Sequence, residues 1–198
     1  MSKLFCIMGK SASGKDTIFK KLTQDENLDL KRVVSYTTRP MREGEQEGVE
    51  YHFVTAQRLG ELQKEGKVIE RRDYSTIHGI WSYFTVDDGQ INFSLNQDSI
   101  IIGTLESYQK IRMYFGKENV IPLYIHVEDG LRLGRALERE RHQEEPGYAE
   151  MCRRFLADAK DFSEEKMAAC EIDRIYENID IEQCLNDIRK DILKFRNA

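Results

Sequence analysis

No stretch of this 198-residue chain approaches the roughly 20 consecutive apolar residues that a membrane-spanning helix requires. The opening MSKLFCIMGK holds an apolar run too short for a secretory signal, and it turns at once into a glycine loop. Cysteine is sparse: Cys6, Cys152, Cys170 and Cys184 form no C-x-x-C pair and no zinc spacing, so they read as reduced thiols in a reducing compartment. Internal repeats and low-complexity tracts are absent. The formal net charge of −5 argues against a duplex-binding surface but leaves room for a local basic pocket. Together these absences predict a cytoplasmic protein with neither membrane nor nucleic acid as a partner; a monomer or homodimer is expected, though none of these absences bears on that.

Hydrophobic residues make up 40% and charged residues 33%, the balance of an ordinary globular domain long enough to bury a core. Apolar runs of strand length occur at Leu4–Met8, Arg32–Tyr36, Ser99–Gly103, Val120–Val127 and Ile172–Tyr176. Helical patterns occupy Asp16–Leu22 and about Ile181–Phe195. Such alternation predicts an α/β fold whose parallel central sheet is covered on both faces, with ligands at the strands' carboxyl ends. Two stretches interrupt it. Residues 39–95 are polar, with a helical piece near Thr55–Lys64, and read as an inserted subdomain. Residues 132–154 are crowded with arginine and glutamate, broken by Pro146-Gly147, and read as a helical lid. The remaining ranges, 1–38 and 96–198, form the core.

Gly9-Lys10-Ser11-Ala12-Ser13-Gly14-Lys15 matches the first seven positions of G-x-x-x-x-G-K-[ST], between a strand and a helix. Its glycines let backbone N–H groups turn toward phosphate oxygens, the following helix adds partial positive charge, and Lys15 supplies a mobile cation. The predicted fold is therefore a three-layer arrangement of the P-loop NTPase type. ATP contacts are expected from Gly9, Ser11, Ala12, Ser13, Gly14, Lys15, Asp16 and Thr17. Asp16 stands where the motif has a hydroxyl residue, and the hydroxyl follows at Thr17. Thr17 is thus assigned to phosphate or magnesium contact, and no other side chain is expected to bind metal directly.

The insertion opens with Ser35-x-Thr37-Thr38-Arg39-Pro40-x-Arg42-x-Gly44-Glu45-x-x-Gly48-x-x-Tyr51-His52-Phe53. Arginines three apart suit a clamp on the dianion of a monophosphate through charge-assisted, bidentate hydrogen bonds. This run closely resembles the signature of the guanylate kinase family. The likeness extends over nearly the whole chain, through the phosphate loop, Glu70, the arginine-rich segment and a C-terminal YEN. It implies ATP-dependent phosphorylation of GMP and dGMP, with magnesium accompanying ATP, and a single domain with an acceptor-binding insertion. It gives phosphate contacts to Ser35, Arg39, Arg42 and Tyr51, and places Glu45 beside them.

The resemblance casts Glu70 as the reader of guanine. A carboxylate accepts side by side from N1–H and the exocyclic amine, whereas adenine N1 would face it with an unpaired lone pair. Tyr83 is carried over as a phosphate contact and Thr85 as a contact to guanine O6, across a gap and with Phe84 where the family has glycine. Trp81 reads equally as a base-stacking residue and as core. Where the family has two aspartates this chain has Gly103 and Leu105, and the nearest carboxylate is Glu106. Arg132, Arg135 and Arg139 share a helical face. The resemblance makes Arg135, Arg139 and one of Arg153 and Arg154 close over the transferring phosphate, so the expected catalytic set is Lys15, Arg39, Arg135 and Arg139. Two other readings stand beside this one: a kinase of the same fold for another phosphorylated acceptor such as ribose 1,5-bisphosphate, and a non-catalytic binding module.

Overall fold

A computed structural model describes residues 2–76 and 79–196; Ile77 and His78, inside the expected insertion, lie outside the described residues. The chain begins with β1 (Leu4–Met8), α1 (Lys15–Thr23), β2 (Lys31–Arg32), β3 (Tyr36–Thr37) and β4 (His52–Phe53). It continues through α2 (Ala56–Lys64), β5 (Val68–Thr76), β6 (Gly79–Val86), β7 (Ser99–Ile102), α3 (Leu105–Phe115) and β8 (Val120–His126). The last elements are α4 (Asp129–Arg141), α5 (Tyr148–Asp161), α6 (Glu164–Ala169), β9 (Ile175–Glu177) and α7 (Ile181–Arg196).

Strands β2-β7-β1-β8-β9 form one sheet, and every pairing in it is parallel. All five residues of β1 are completely buried, as the centre of a sheet covered on both faces demands. Their side chains alternate between two layers. Phe5 and Ile7 pack with Ile18 and Leu22 of α1 and with Leu185 and Ile188 of α7. Leu4, Cys6 and Met8 pack with Leu105, Tyr108 and Ile111 of α3. The loop that follows β1 therefore emerges at the carboxyl edge of the sheet, fixed by its most buried strand.

A second sheet, β4-β3-β6-β5, carries the insertion. Its core is Leu59, Leu62, Phe84 and Val86, under the amphipathic α2. Thr55 caps α2 by accepting from Arg58 N–H. The segment Arg32–Tyr36, expected as one strand, is divided between the two sheets. Lys31–Arg32 pairs with β7, the side-chain amide of Gln90 then bonds both backbone groups of Val34, and Tyr36–Thr37 enters the second sheet ahead of residue 39. The expected strand Ile172–Tyr176 starts only at Ile175. Glu171 takes a left-handed conformation (φ 53°), and the Glu171 and Ile172 N–H groups bond Ala168 and Met167 carbonyls, closing α6. Among the described residues no helix is long and apolar enough to cross a membrane.

Candidate active site

The phosphate loop is shaped by two glycines that no other residue replaces without displacement. A Cβ on Gly9 would lie 2.6 Å from Ser13 Oγ and 2.7 Å from the Ile125 carbonyl. Gly14 has φ +82°, and a Cβ there would meet Asn178 Nδ2 at 2.3 Å. Gly14 is the N-cap of α1 and provides no side-chain cap, so first-turn N–H groups face the loop's mouth without an internal acceptor. Lys15 lines a cavity of about 300 Å³ together with Asp16, Ser35, Tyr51, Arg72 and Tyr83. Its ammonium lies 3.2 Å from Asp16 Oδ2. Thr17 is exposed on the next step of the helix.

Contacts from distant elements hold this loop. Asn178, in the YEN segment, is buried and donates from Nδ2 to the Ser13 carbonyl at 2.7 Å. From α5, Asp158 accepts from the Ser11 N–H at 2.8 Å. Arg132, only 1% exposed, donates to that Asp158 oxygen at 3.0 Å, to the Ser11 carbonyl at 3.2 Å and to Asp129 at 2.9 Å. Its guanidinium also lies 4.2 Å from the Phe155 ring centroid. Lys10 pairs with Asp129 at 3.3 Å. Arg132, expected on the same functional face as Arg135 and Arg139, is thus a buried strut between lid and loop.

The residues expected to bind the acceptor gather near one another. Arg39, 3% exposed, donates through Nη1 and Nη2 to the two carboxylate oxygens of Glu45, at 2.8 and 2.7 Å. The Tyr51 and Phe53 rings cover its guanidinium, with centroids at 5.5 and 5.4 Å. The Arg39 pairing, ahead of its other interactions, holds the Glu45 carboxyl below the usual carboxylate range. Glu45 also accepts from the Arg42 N–H at 2.8 Å, which sets the turn presenting the Arg42 side chain. Arg42 borders a cavity of about 670 Å³ whose wall includes Tyr51, Tyr83, Trp81, Arg153 and Arg154. Tyr51 and Tyr83, with ring centroids 5.6 Å apart, line both this cavity and the one holding Lys15. The phosphate loop and the arginine-lined space therefore meet at a shared wall.

In the β5–β6 register Glu70 pairs with Thr85, Arg72 with Tyr83 and Tyr74 with Trp81, so these six side chains share one face. Phe84 points to the opposite face and is completely buried in the insertion's core. Trp81 belongs to the cavity wall.

Glu70, expected to read guanine, has its carboxylate enclosed by neighbouring side chains in this structure. Its side chain has no exposed surface. Arg72 donates to both of its oxygens, at 2.9 and 3.2 Å, and the Thr85 hydroxyl donates to one at 2.8 Å. The residues at the family's aspartate positions also have a physical account. A Cβ on Gly103 would meet Ser107 Oγ at 2.7 Å and Cys6 Sγ at 2.9 Å, and Leu105 is buried in the sheet's second layer. Glu106 is exposed, bonds Lys110 Nζ at 2.7 Å, and borders a further cavity of about 560 Å³ with Arg72 and Thr104.

The lid arginines divide into two groups. Arg153 and Arg154 both pair with Glu150, at 2.6 and 2.8 Å, and line the Arg42 cavity. Two guanidiniums, Arg153 foremost, hold the Glu150 carboxyl down at about 2. Arg135 is instead tied to the Asn178 carbonyl at 2.9 Å, and Arg139 is exposed, 3.9 Å from Glu140. Neither lines the Arg42 cavity, and the Arg135 guanidinium turns instead toward the chain after β9. Arg72 and Asp158 were not singled out from sequence. Arg72 was detectable, since it follows Glu70 at the two-residue spacing of one strand face; Asp158 carries no local signal.

A family model described as guanylate kinase matches residues 1–194. The guanylate kinase of Methylobacillus flagellatus is 31% identical over 189 residues, which cover 94% of this chain and 86% of that protein. The guanylate kinase of Schizosaccharomyces pombe is 42% identical over 64 residues, 32% of this chain and 32% of that protein. Among solved structures, guanylate kinase from Anaplasma phagocytophilum superimposes with a TM-score of 0.66 at 22% identity, covering all of this chain and 87% of its own.

Proposed function

This chain belongs to the guanylate kinase family, and we propose that it transfers the γ-phosphate of ATP to GMP, and to dGMP, yielding the diphosphates. It is a nucleoside monophosphate kinase, with ATP and GMP as its small-molecule partners. The observation that carries the reading is the shared wall of Tyr51 and Tyr83 between the cavity of Lys15 and that of Arg42. A triphosphate on the loop and a monophosphate in the arginine-lined space would meet there.

The acceptor is already an ionised phosphate, so no side-chain base is required. Its oxygen attacks the γ-phosphorus as the bond to the β-phosphate oxygen breaks. Catalysis then lies in alignment and in stabilising charge that spreads over the transferring group. Lys15 meets the triphosphate, Arg42 holds the acceptor dianion, and Arg39 reinforces it from behind Tyr51. Arg153 and Arg154 supply positive charge from the lid side, and a closing lid excludes competing water.

The described residues contain no group of three or more His, Cys, Asp or Glu suited to a metal. Magnesium entering with ATP fits such a site through phosphate oxygens and water, with exposed Asp16 beside Lys15 and the Thr17 hydroxyl as protein oxygens. When bound, it would neutralise phosphate charge. Four free thiols suit a cytoplasmic setting.

A coupled assay of ADP release with GMP, dGMP, AMP and ribose 1,5-bisphosphate tests the proposal. GMP is expected to be the best acceptor, with dGMP close behind. GMP no better than AMP, or slower than the sugar bisphosphate, would refute it.

A further inference from the structure

One ion pair holds both backbone groups of Ser11 in the phosphate loop. The N–H donates to Asp158 Oδ2 on α5 at 2.8 Å, and the carbonyl accepts from Arg132 Nη1 on α4 at 3.2 Å. Arg132 Nη1 also donates to that same Oδ2, at 3.0 Å. The next residue, Ala12, has φ 61°, a left-handed conformation that a side chain disfavours and that persists only under restraint. Lys10 and Arg132 balance Asp129 and Asp158, so the network brings no net negative charge to the mouth of an anion site. The same helix reaches the acceptor side. Arg154 stands four residues before Asp158, about 6 Å along α5 on the same face, and lines the Arg42 cavity with Arg153. Glu150 anchors both guanidiniums.

We propose that Asp158 is a positioning residue for phosphoryl transfer. It fixes α5 against the phosphate loop, and so sets how far Arg153 and Arg154 stand from a triphosphate at Lys15. The proposal rests on the GMP kinase reading above. The bond to Ser11 is not a placeholder that ATP displaces. Withdrawing Asp158 would take one of two carboxylates from Arg132, which is 1% exposed and lies 4.2 Å from the Phe155 ring centroid. Transfer depends on alignment, and a displacement of about 1 Å at a remote residue can cost on the order of a hundredfold in rate. A hydrogen bond from lid helix to loop preserves that alignment. A purely electrostatic role would require only a carboxylate near Arg132, wherever α5 stood.

Both bonds end on a single oxygen, so the side-chain carbonyl of Asp158→Asn can accept them without the charge. Asp158→Glu keeps the charge, but its extra methylene must push α5 from the loop or break the Ser11 bond. The test is kcat with ATP and GMP, and Kd for ATP by calorimetry, across wild type and the Ala, Asn and Glu variants. Asp158→Ala is expected to lower kcat by about tenfold or more and to weaken ATP roughly fivefold, the loss of one hydrogen bond. Asp158→Asn should restore kcat to within about threefold of wild type, and Asp158→Glu should not. Charge alone predicts the opposite order, with Glu restoring and Asn failing, and that result would overturn the proposal. So would wild-type kcat in a folded Asp158→Ala, which would leave Asp158 a contact for stability only. If Asp158→Ala does not fold, the comparison of Asn with Glu still decides. A wild type inactive on GMP would defeat the GMP reading instead, and the ATP affinities would then judge the hold of Asp158 on the loop by themselves.

Discussion

Arg39 and Glu45 face each other as a guanidinium and a carboxylate joined by two parallel hydrogen bonds, 2.8 and 2.7 Å long, beneath the rings of Tyr51 and Phe53. The Glu45 oxygen that accepts from Arg39 Nη1 also accepts from the Arg42 N–H, so one acid orders both arginines of the proposed acceptor clamp. Glu45→Gln keeps the shape but removes the charge and half of the paired geometry. It should raise KM for GMP on the order of tenfold, as expected for one charge-assisted bond, and leave KM for ATP unchanged. Equal effects on both substrates in steady-state kinetics would contradict this role.

The same pair sets a pH response. Arg39 lowers the folded-state pKa of Glu45 below its unfolded value of about 4.3. Its stabilisation is therefore fully present above that unfolded value and disappears as pH falls through the folded one. Urea midpoints measured between pH 7 and pH 3 should show a smaller decline for Glu45→Gln than for wild type. Parallel declines would show that the pair does not contribute.

Lys15→Ala should abolish turnover, by about a thousandfold or more, as removal of a charge-stabilising group at the transferring phosphate implies. Because Lys15 sits in the first turn of α1, where alanine is well tolerated, melting temperature and circular dichroism should stay close to wild type. Retained kinase activity would overturn the phosphate-loop assignment.

Asn178→Ala removes the buried bond to the Ser13 carbonyl and leaves that carbonyl unsatisfied, a loss of about 1–3 kcal/mol in denaturant unfolding. The loop it supports binds only the triphosphate in the proposed reaction. KM for ATP should rise while KM for GMP holds. A stability change without any effect on ATP would reduce Asn178 to a purely structural contact.

Thiol reactivity should separate the cysteines. Burial, with Glu70 adding to it, pushes the Cys6 thiol up to about 12, and burial first of all pushes Cys184 up to about 11. Cys170 is buried as well, and Cys152 alone is exposed on α5. Titration with a chromogenic disulfide should show one rapid equivalent in the native protein and four in denaturant. More than one rapid equivalent would mean that the sheet core opens readily.

Much of the framework was legible because its signals are local. The apolar run Leu4–Met8, the glycines of 9–15 and the helical pattern after them report strand, loop and helix within one stretch of chain. Thr55 marks the start of α2 in the same way, as an N-cap three residues before the N–H it accepts from. The arginine–tyrosine signature pointed to a cluster that the fold does bring together, with Arg39, Glu45 and Tyr51 in contact and Arg42 and Tyr51 on one cavity wall. The strand expected at Arg32–Tyr36 failed because apolar composition cannot tell which of two sheets a residue joins, and a side-chain amide 56 positions away divides it.

By itself, then, the sequence determined the order of elements, the phosphate loop and the family to which the chain belongs, since each depends on residue types at short, fixed spacings. Tertiary structure alone decided that Arg72 rather than Glu70 faces the cavity, that Asp158 reaches the Ser11 N–H across 147 positions, and that Arg153 and Arg154 rather than Arg135 and Arg139 line the Arg42 cavity. Those outcomes turn on which polar partner satisfies each group once water is excluded, and that competition exists only in the folded chain.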